Sequence, residues 1–86
     1  MDRSEILKKV RDFTLQELLH NPDYDLKEDE PLFSNGLIDS FAMAQVGVFV
    51  ETEFKLYIPD PDLTVETMDT IGQITDRIFQ ALNAGG

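Results

Sequence analysis

The sequence contains no cysteine and a single histidine, His20. These two absences exclude disulfides, thiolate metal sites, cysteine nucleophiles and a histidine-rich metal centre. We therefore expect no metal site, and any thiol through which this protein works must come from a cofactor.

Basic residues are also scarce, with 7 Lys and Arg against 17 Asp and Glu, for a formal net charge of −10. Nucleic-acid binding depends on clustered Lys and Arg that release counterions from the phosphate backbone. An acidic surface repels phosphate backbones and anionic membranes alike. We therefore expect no nucleic-acid partner, and protein partners that present basic or apolar surfaces.

Long apolar runs are missing as well. The longest stretch, residues 41–50, is about half as long as a membrane span and is broken by Gln45. No basic segment followed by an apolar run opens the chain, so we predict no signal peptide. A chain of 86 residues fits one small domain. We expect a cytoplasmic monomer without membrane insertion.

The first helix is predicted over residues 4–19, where apolar residues recur at spacings of three and four. Asp2 or Ser4 can cap it, and Asn21-Pro22 ends it because proline cannot continue the hydrogen-bond ladder. Residues 20–38 then form a long loop without helical or alternating pattern. Its predicted hydrophobic anchors are Leu26, Leu32, Phe33 and Leu37.

Three further helices are predicted, over residues 40–55, 64–68 and 70–82. Valines 46, 48 and 50 could also suit a strand, but no turn signal interrupts that run. Thr64 caps the short helix, and Thr70 followed by Gln73 has the spacing of a capping box. The chain is thus predicted to be all-α, a four-helix bundle with a core over about 4–82 and a frayed tail over 83–86.

The second helix has a predicted inner face and a predicted outer face. The inward residues are Phe41, Ala44, Val46, Gly47, Phe49, Val50 and Phe54. The residues left towards solvent are Ala42, Met43, Gln45 and Val48. If the helical register differs, Met43 and Val48 are instead buried.

Asp39 and Ser40 are polar residues at the start of this apolar helix. In isolation, either residue is most simply a helix N-cap. A catalytic serine is not supported, because the G-x-S-x-G pattern is absent and the only histidine lies twenty positions earlier. A serine at a helix N-terminus, however, lies where free N–H groups and the helix dipole stabilise an anion, such as a phosphate ester.

The segment from residue 29 to 41, DEPLFSNGLIDSF, resembles the D-x-x-L-F-x-x-G-L-I/L-D-S-L/M segment of acyl and peptidyl carrier proteins. Residues 51–74, ETEFKLYIPDPDLTVETMDTIGQI, resemble a downstream segment of the same family. The resemblance covers residues 5–82 and implies an acyl-carrier-protein-like bundle. Because the family's serine carries 4′-phosphopantetheine derived from coenzyme A, it also implies attachment at Ser40. Gly36 would form the turn, and Asp39 would assist a transferase with Mg²⁺ and coenzyme A besides capping the helix.

The function implied by the resemblance is that of a non-catalytic carrier of acyl or aminoacyl groups as thioesters. The implied partners are a phosphopantetheinyl transferase, an acyl- or aminoacyl-adenylating ligase and downstream enzymes that transfer the acyl or aminoacyl group. Phe41 departs from the usual aliphatic residue after the serine. The predicted partner-binding residues are Phe41, Ala42, Met43, Gln45 and Val48.

This predicted partner-binding face carries no acid, unlike that of fatty acid synthesis carriers. It resembles the face of peptidyl and D-alanyl-type carriers, so we expect docking by hydrophobic contact in a specialised pathway with a separate ligase. One alternative is a general or secondary fatty acid synthesis carrier. Another is a small acidic helical interaction module in which Ser40 is only a helix cap.

Two other interpretations of the function depend on short motifs. The terminal Gly85-Gly86 matches the ending of ubiquitin-like sulfur carriers, but those are β-grasp folds, which the helical pattern contradicts. The acids of residues 23–30 could suggest a calcium loop. Pro22, Pro31 and the lack of a correctly placed glycine break the EF-hand pattern.

Overall fold

The computed structural model describes residues 2–84, without the side chains of Asp60 and Ala84, and this part of the chain contains helices and no strand. The α-helices are α1 (Arg3–Phe13), α2 (Met43–Phe54), α3 (Val65–Met68) and α4 (Ile71–Ala84). A π-helical segment, Thr14–Leu18, continues α1. Two short 3₁₀ turns, Ser40–Ala42 and Asp60–Asp62, precede α2 and α3. The all-α prediction is confirmed.

Helix α1 begins where its capping residue predicts. The Asp2 carboxylate accepts a hydrogen bond from the Glu5 N–H at 2.9 Å, which confirms Asp2 as the cap. The helical path continues to Leu18, but its last five residues form the wider π-helix, which the apolar spacing did not predict. His20, with a φ of 54°, turns the chain out of the helix ahead of the proline.

The loop between α1 and α2 packs on the core through its apolar side chains. Leu26, Leu32 and Phe33 are buried, which confirms three of the four predicted anchors. Leu37 is only half-buried, and Ile38, which was not predicted as an anchor, is buried in its neighbourhood. The loop is therefore part of the packed body of the protein.

A second attachment of the loop lies at the start of α4. The Gly72 N–H donates a hydrogen bond to the Glu28 carbonyl at 3.0 Å. A Cβ atom at position 72 would lie 3.1 Å from that same carbonyl oxygen, so any larger residue would press against the Glu28 backbone. Arg3 adds ion pairs to Glu28 and Asp76, each at 2.7 Å, on the surface.

The predicted register of α2 is wrong at its start. The buried residues are Met43, Val46, Val50 and Phe54, at spacings of three, four and four. Phe41 is 86% exposed rather than inward, and Ala44 is exposed as well. Met43 lies three residues before Val46 on this buried stripe, whereas Phe41 lies two residues before Met43 and so falls on the opposite side of the helix.

The two last helices begin at the predicted caps. The Thr64 side chain accepts a hydrogen bond from the Thr67 N–H at 3.3 Å at the start of α3. At α4, the Gln73 N–H donates to Thr70 Oγ1 at 3.0 Å and the Thr70 N–H donates to Gln73 Oε1 at 3.2 Å. Both partners of the predicted capping box are thus present.

The end of α4 differs from the prediction of a frayed tail over residues 83–86. The helix continues through Ala84, two residues beyond the predicted end at Leu82. Gly85 and Gly86, which form the terminal diglycine motif, lie outside the described residues. Over residues 2–84, no helix combines the length and the apolar character needed to cross a bilayer.

Candidate functional site

Ser40 lies at the start of the 3₁₀ turn that leads into α2, and it is exposed. The capping hydrogen bond at this turn comes from Asp39, whose Oδ1 accepts from the Phe41 N–H at 2.9 Å. Within the described part of the chain, the Ser40 hydroxyl makes no hydrogen bond. Asp39 is therefore the cap, as predicted, and the Ser40 hydroxyl is left accessible for another role.

Gly36 forms the turn that leads towards Ser40. Its φ of +75° lies in the left-handed region, which other residues rarely adopt. A Cβ atom at this position would meet no atom within 4 Å, so the need for glycine is conformational and not steric. The Gly36 N–H closes the turn by donating to the Phe33 carbonyl at 3.1 Å.

Asp69, the residue two positions before α4, holds the segment that precedes this turn. Its Oδ1 accepts from the backbone N–H groups of Phe33 at 2.8 Å and Ser34 at 3.0 Å. Its Oδ2 accepts from the Ser34 hydroxyl at 2.5 Å, and its carbonyl accepts from the Leu32 N–H at 2.8 Å. The sequence analysis did not identify Asp69 as part of the site, because its partners lie about 35 positions earlier in the chain.

The pKa of Asp69 is lowered by this arrangement. Partial burial raises it, but the hydrogen bonds from the Ser34 hydroxyl and from the Ser34, Phe33 and Leu32 backbone outweigh burial. A carboxyl group with a lower pKa in the folded state stabilises the fold when it is ionised. That stabilisation is complete above the pKa of the unfolded chain and is lost as the pH falls through the folded pKa.

We expect Asp69→Asn to lower the free energy of unfolding by about 1–3 kcal/mol at pH 7, because hydrogen bonds from the loop lose their charged acceptor. The loss should shrink at about pH 3, where protonation weakens the wild-type interaction as well. Denaturant unfolding at the two pH values measures both effects. Asp12→Asn, at an exposed carboxylate of α1, is the control and should change little. An equal loss at both pH values would show that ionised Asp69 does not hold the loop.

The side of α2 next to Ser40 presents exposed side chains without acids. Phe41 is 86% exposed and Val48 is 64% exposed, and Gln45 lies between them on the same side of the helix. Among the other predicted partner residues, Ala42 is half-buried and Met43 is buried. The prediction of a solvent-facing Met43 is wrong because Met43 starts the core stripe of α2.

An open groove of about 900 Å³ runs beside Ser40, between α2 and the end of the first helix. Asp39, directly before Ser40, and Ala42, two positions after it, line one end of this groove. Its floor contains Phe13 and Phe49, whose rings stack with centroids 4.2 Å apart. Sequence reasoning did not identify the groove, because it arises from the packing of two helices far apart in the chain.

A metal centre does not form from the acids of this site. Among the side chains that the structure describes, no three of Asp, Glu or His come together in a way that could hold a metal ion. What the site offers is an exposed hydroxyl on a fixed turn, an uncharged exposed strip on α2 and an open groove that contains the stacked Phe13 and Phe49.

A scan against protein-family models and a search of curated proteins each found no match for this chain.

Proposed function

We propose that this chain is a covalent carrier that holds acyl or aminoacyl groups as thioesters on 4′-phosphopantetheine attached to Ser40. The fold would then be a four-helix bundle of the acyl carrier protein type. The observation that carries the proposal is the exposed Ser40 hydroxyl, whose capping role is taken by Asp39 at 2.9 Å from the Phe41 nitrogen. The family resemblance of residues 29–41 supplies the identity of the attached group.

The residues around Ser40 fit such a group. The hydroxyl is exposed at the end of an open groove, so a transferase can reach it and an attached chain has room to extend. The turn below it is held by the left-handed Gly36 and by the hydrogen bonds of Asp69 to residues 33 and 34. A transferable group fixed here would start from a well-defined position.

The attachment is a substitution at phosphorus in which Ser40 is the nucleophile. Its oxygen bonds to the phosphorus next to the pantetheine, and the pyrophosphate bond of coenzyme A breaks to release adenosine 3′,5′-bisphosphate. A base of the phosphopantetheinyl transferase takes the serine proton, while Asp39 would help to place Mg²⁺ and coenzyme A. When bound, the group supplies a thiol on a flexible arm, which moves its cargo between enzymes at high effective concentration.

The absence of cysteine makes a direct test possible. The chain itself has no thiol, so a maleimide reagent should not label it before modification. After incubation with coenzyme A, Mg²⁺ and a broad-specificity phosphopantetheinyl transferase, we expect one reactive thiol per chain once free coenzyme A is removed. If no thiol appears while a known carrier in the same reaction gains one, the proposed function is wrong.

Exposed Phe41, Gln45 and Val48 favour partners that dock by hydrophobic contact. This supports a carrier in a specialised pathway, loaded by a separate acyl- or aminoacyl-adenylating ligase. The acids of α2 lie towards its other end, at Glu51 and Glu53. The alternative, a general or secondary fatty acid synthesis carrier, would require docking dominated by such acids.

We expect Val48→Asp to lower kcat/KM for loading by the carrier's adenylating ligase about tenfold, as loss of an interface anchor does. The effect should persist at high salt, because the lost contact is apolar. The control combines Glu51→Gln with Glu66→Gln, two exposed acids, which should slow loading mainly at low salt. If the Glu51→Gln, Glu66→Gln control instead loaded slowly at both salt levels while Val48→Asp loaded normally, the result would support electrostatic docking.

A further inference from the structure

His20, the only histidine of the chain, lies directly after the end of the first helix. It is exposed, and its backbone is left-handed, with a φ of 54°. This conformation after a helix end favours glycine, because glycine has no Cβ atom to strain the backbone. Glycine would therefore suit the backbone here better than histidine, so any advantage of histidine lies in its side chain.

His20 lies at the same end of the molecule as the start of α2, because the first helix and α2 run in opposite directions. Lys9 Nζ contacts Glu53 Oε1 at 2.9 Å, and one turn further along α1 the Phe13 ring stacks on Phe49. An advance of four residues in α1 therefore matches a retreat of four residues in α2. Continued to the end of the first helix, this pairing places His20 opposite the start of α2.

The groove between these helices is acidic apart from His20. Its titratable side chains are His20 and three carboxylates, those of Glu17, Asp39 and Glu53. Of the groove-lining residues that the structure describes, His20 alone can carry a positive charge. A further negative charge at Ser40, directly after Asp39, would thus have His20 as its one possible cationic partner in the groove.

Attachment of phosphopantetheine to Ser40 would add such a charge as a phosphodiester. A protonated histidine ring donates hydrogen bonds from both of its nitrogens, and the free phosphate oxygens accept them. A hydrogen bond between charged groups of this kind is roughly twice as strong as one between neutral groups. Repulsion from the adjacent Asp39 carboxylate makes a cationic partner for the phosphate still more favourable.

We propose that His20 is a positioning residue for the phosphate of the group attached to Ser40, with its protonated ring donating a hydrogen bond to a phosphate oxygen. This inference rests on the proposed function and adds to it a partner for the phosphate on the chain's own surface. The contact depends on the charge of the ring, which histidine changes between about pH 5 and 8. It therefore strengthens as the pH falls through this range.

Phosphorus-31 NMR of the modified protein tests the contact, with complete modification established by intact mass. A phosphate monoester loses a second proton at about pH 6. A phosphodiester has no second proton to lose, so any movement of its resonance between about pH 5 and 8 reports a neighbouring group. We expect the wild-type resonance to move with a single midpoint in this range, and His20→Gln to remove the movement.

Lys55→Gln is the matched control. Lys55 is exposed and left-handed like His20, with a φ of 59°, but it lies outside the groove lining. Its modified form should keep the wild-type movement of the phosphorus resonance. A resonance that stays fixed in the fully modified wild type, or that moves equally in His20→Gln, would overturn the contact and leave the carrier function intact. Absence of any mass gain would overturn the carrier function together with it.

The ring itself gives a second measurement. Because the chain has one histidine, the carbon-bound ring protons of the untagged protein give a single set of signals that belongs to His20. We expect these signals to move on modification at pH 6, and we expect a nuclear Overhauser effect between the ring and the β-protons of Ser40. Ring signals that are identical before and after complete modification would contradict the proposed contact.

Discussion

Replacing Leu32 with alanine should lower the free energy of unfolding by about 2–5 kcal/mol, as other large-to-small core substitutions do. Leu32 is fully buried, and both of its backbone groups are hydrogen-bonded. Its N–H donates to the Asp69 carbonyl at 2.8 Å and its own carbonyl accepts from the Ile38 N–H at 2.8 Å. The side chain cannot be replaced by another loop residue without breaking these bonds, so a cavity should remain.

A loss of this size is a large part of the stability of a small domain, which is on the order of 5–15 kcal/mol in total. Thermal unfolding should therefore shift by more than about 10 °C. Leu37→Ala is the matched control, since Leu37 belongs to the same loop but is only half-buried. A Leu32→Ala protein that melts like the wild type would show that the loop is free in solution.

Replacing Ser40 with alanine should abolish modification completely while leaving the fold unchanged. The hydroxyl is exposed and makes no hydrogen bond within the described residues, so the free energy of unfolding should change by less than about 0.5 kcal/mol. Asp39 keeps its capping bond to the Phe41 N–H in this variant. The protein should therefore melt like the wild type and gain neither mass nor thiol with coenzyme A and the transferase.

Ser34→Ala provides the control for this second prediction. Ser34 is also exposed, but its hydroxyl donates to Asp69 Oδ2, so it is engaged in the fold. We expect Ser34→Ala to be modified fully, although it unfolds more easily than the wild type. If Ser40→Ala were modified, or if Ser34→Ala were not, the proposed attachment to Ser40 would be wrong.

The features that were predicted correctly depend on residues close together in the chain. Asp2 caps α1 three residues before its hydrogen-bond donor, and Thr70 and Gln73 exchange hydrogen bonds over the same spacing. Such pairs can be found in a sequence because the geometry of a helix start requires them. The buried anchors Leu26 and Leu32 were predicted because a long loop of a small domain must bury its few apolar residues.

The register of α2 could not be predicted in the same way. Apolar residues occur on several sides of this helix, so the apolar character of Phe41 and of Met43 would suit either residue to the inner face. Because Phe41 and Met43 are two residues apart, they lie on opposite sides of the helix, and only Met43 falls in line with the buried Val46 and Val50. The result moves Phe41 to the surface beside Ser40 and Met43 into the core.

The supporting parts of the candidate site depend on contacts between distant residues. Asp69 binds Phe33 and Ser34 across the loop and the second and third helices. The groove requires the π-helical segment at residues 14–18 to lie opposite α2. Motif comparison could identify Ser40 and Gly36, but only the packed structure shows what holds them and what lies beside them.

The central claim, that Ser40 carries a phosphopantetheine arm, is tested most directly by mass spectrometry. The wild-type protein is incubated with coenzyme A, Mg²⁺ and a broad-specificity phosphopantetheinyl transferase, and its intact mass is measured before and after this reaction. Proteolytic mapping then locates the modified residue. We predict a gain of one phosphopantetheine per chain, located on the peptide that contains Ser40. An unchanged mass, while a known carrier in the same reaction is modified, or a group located on any other residue, would contradict the account.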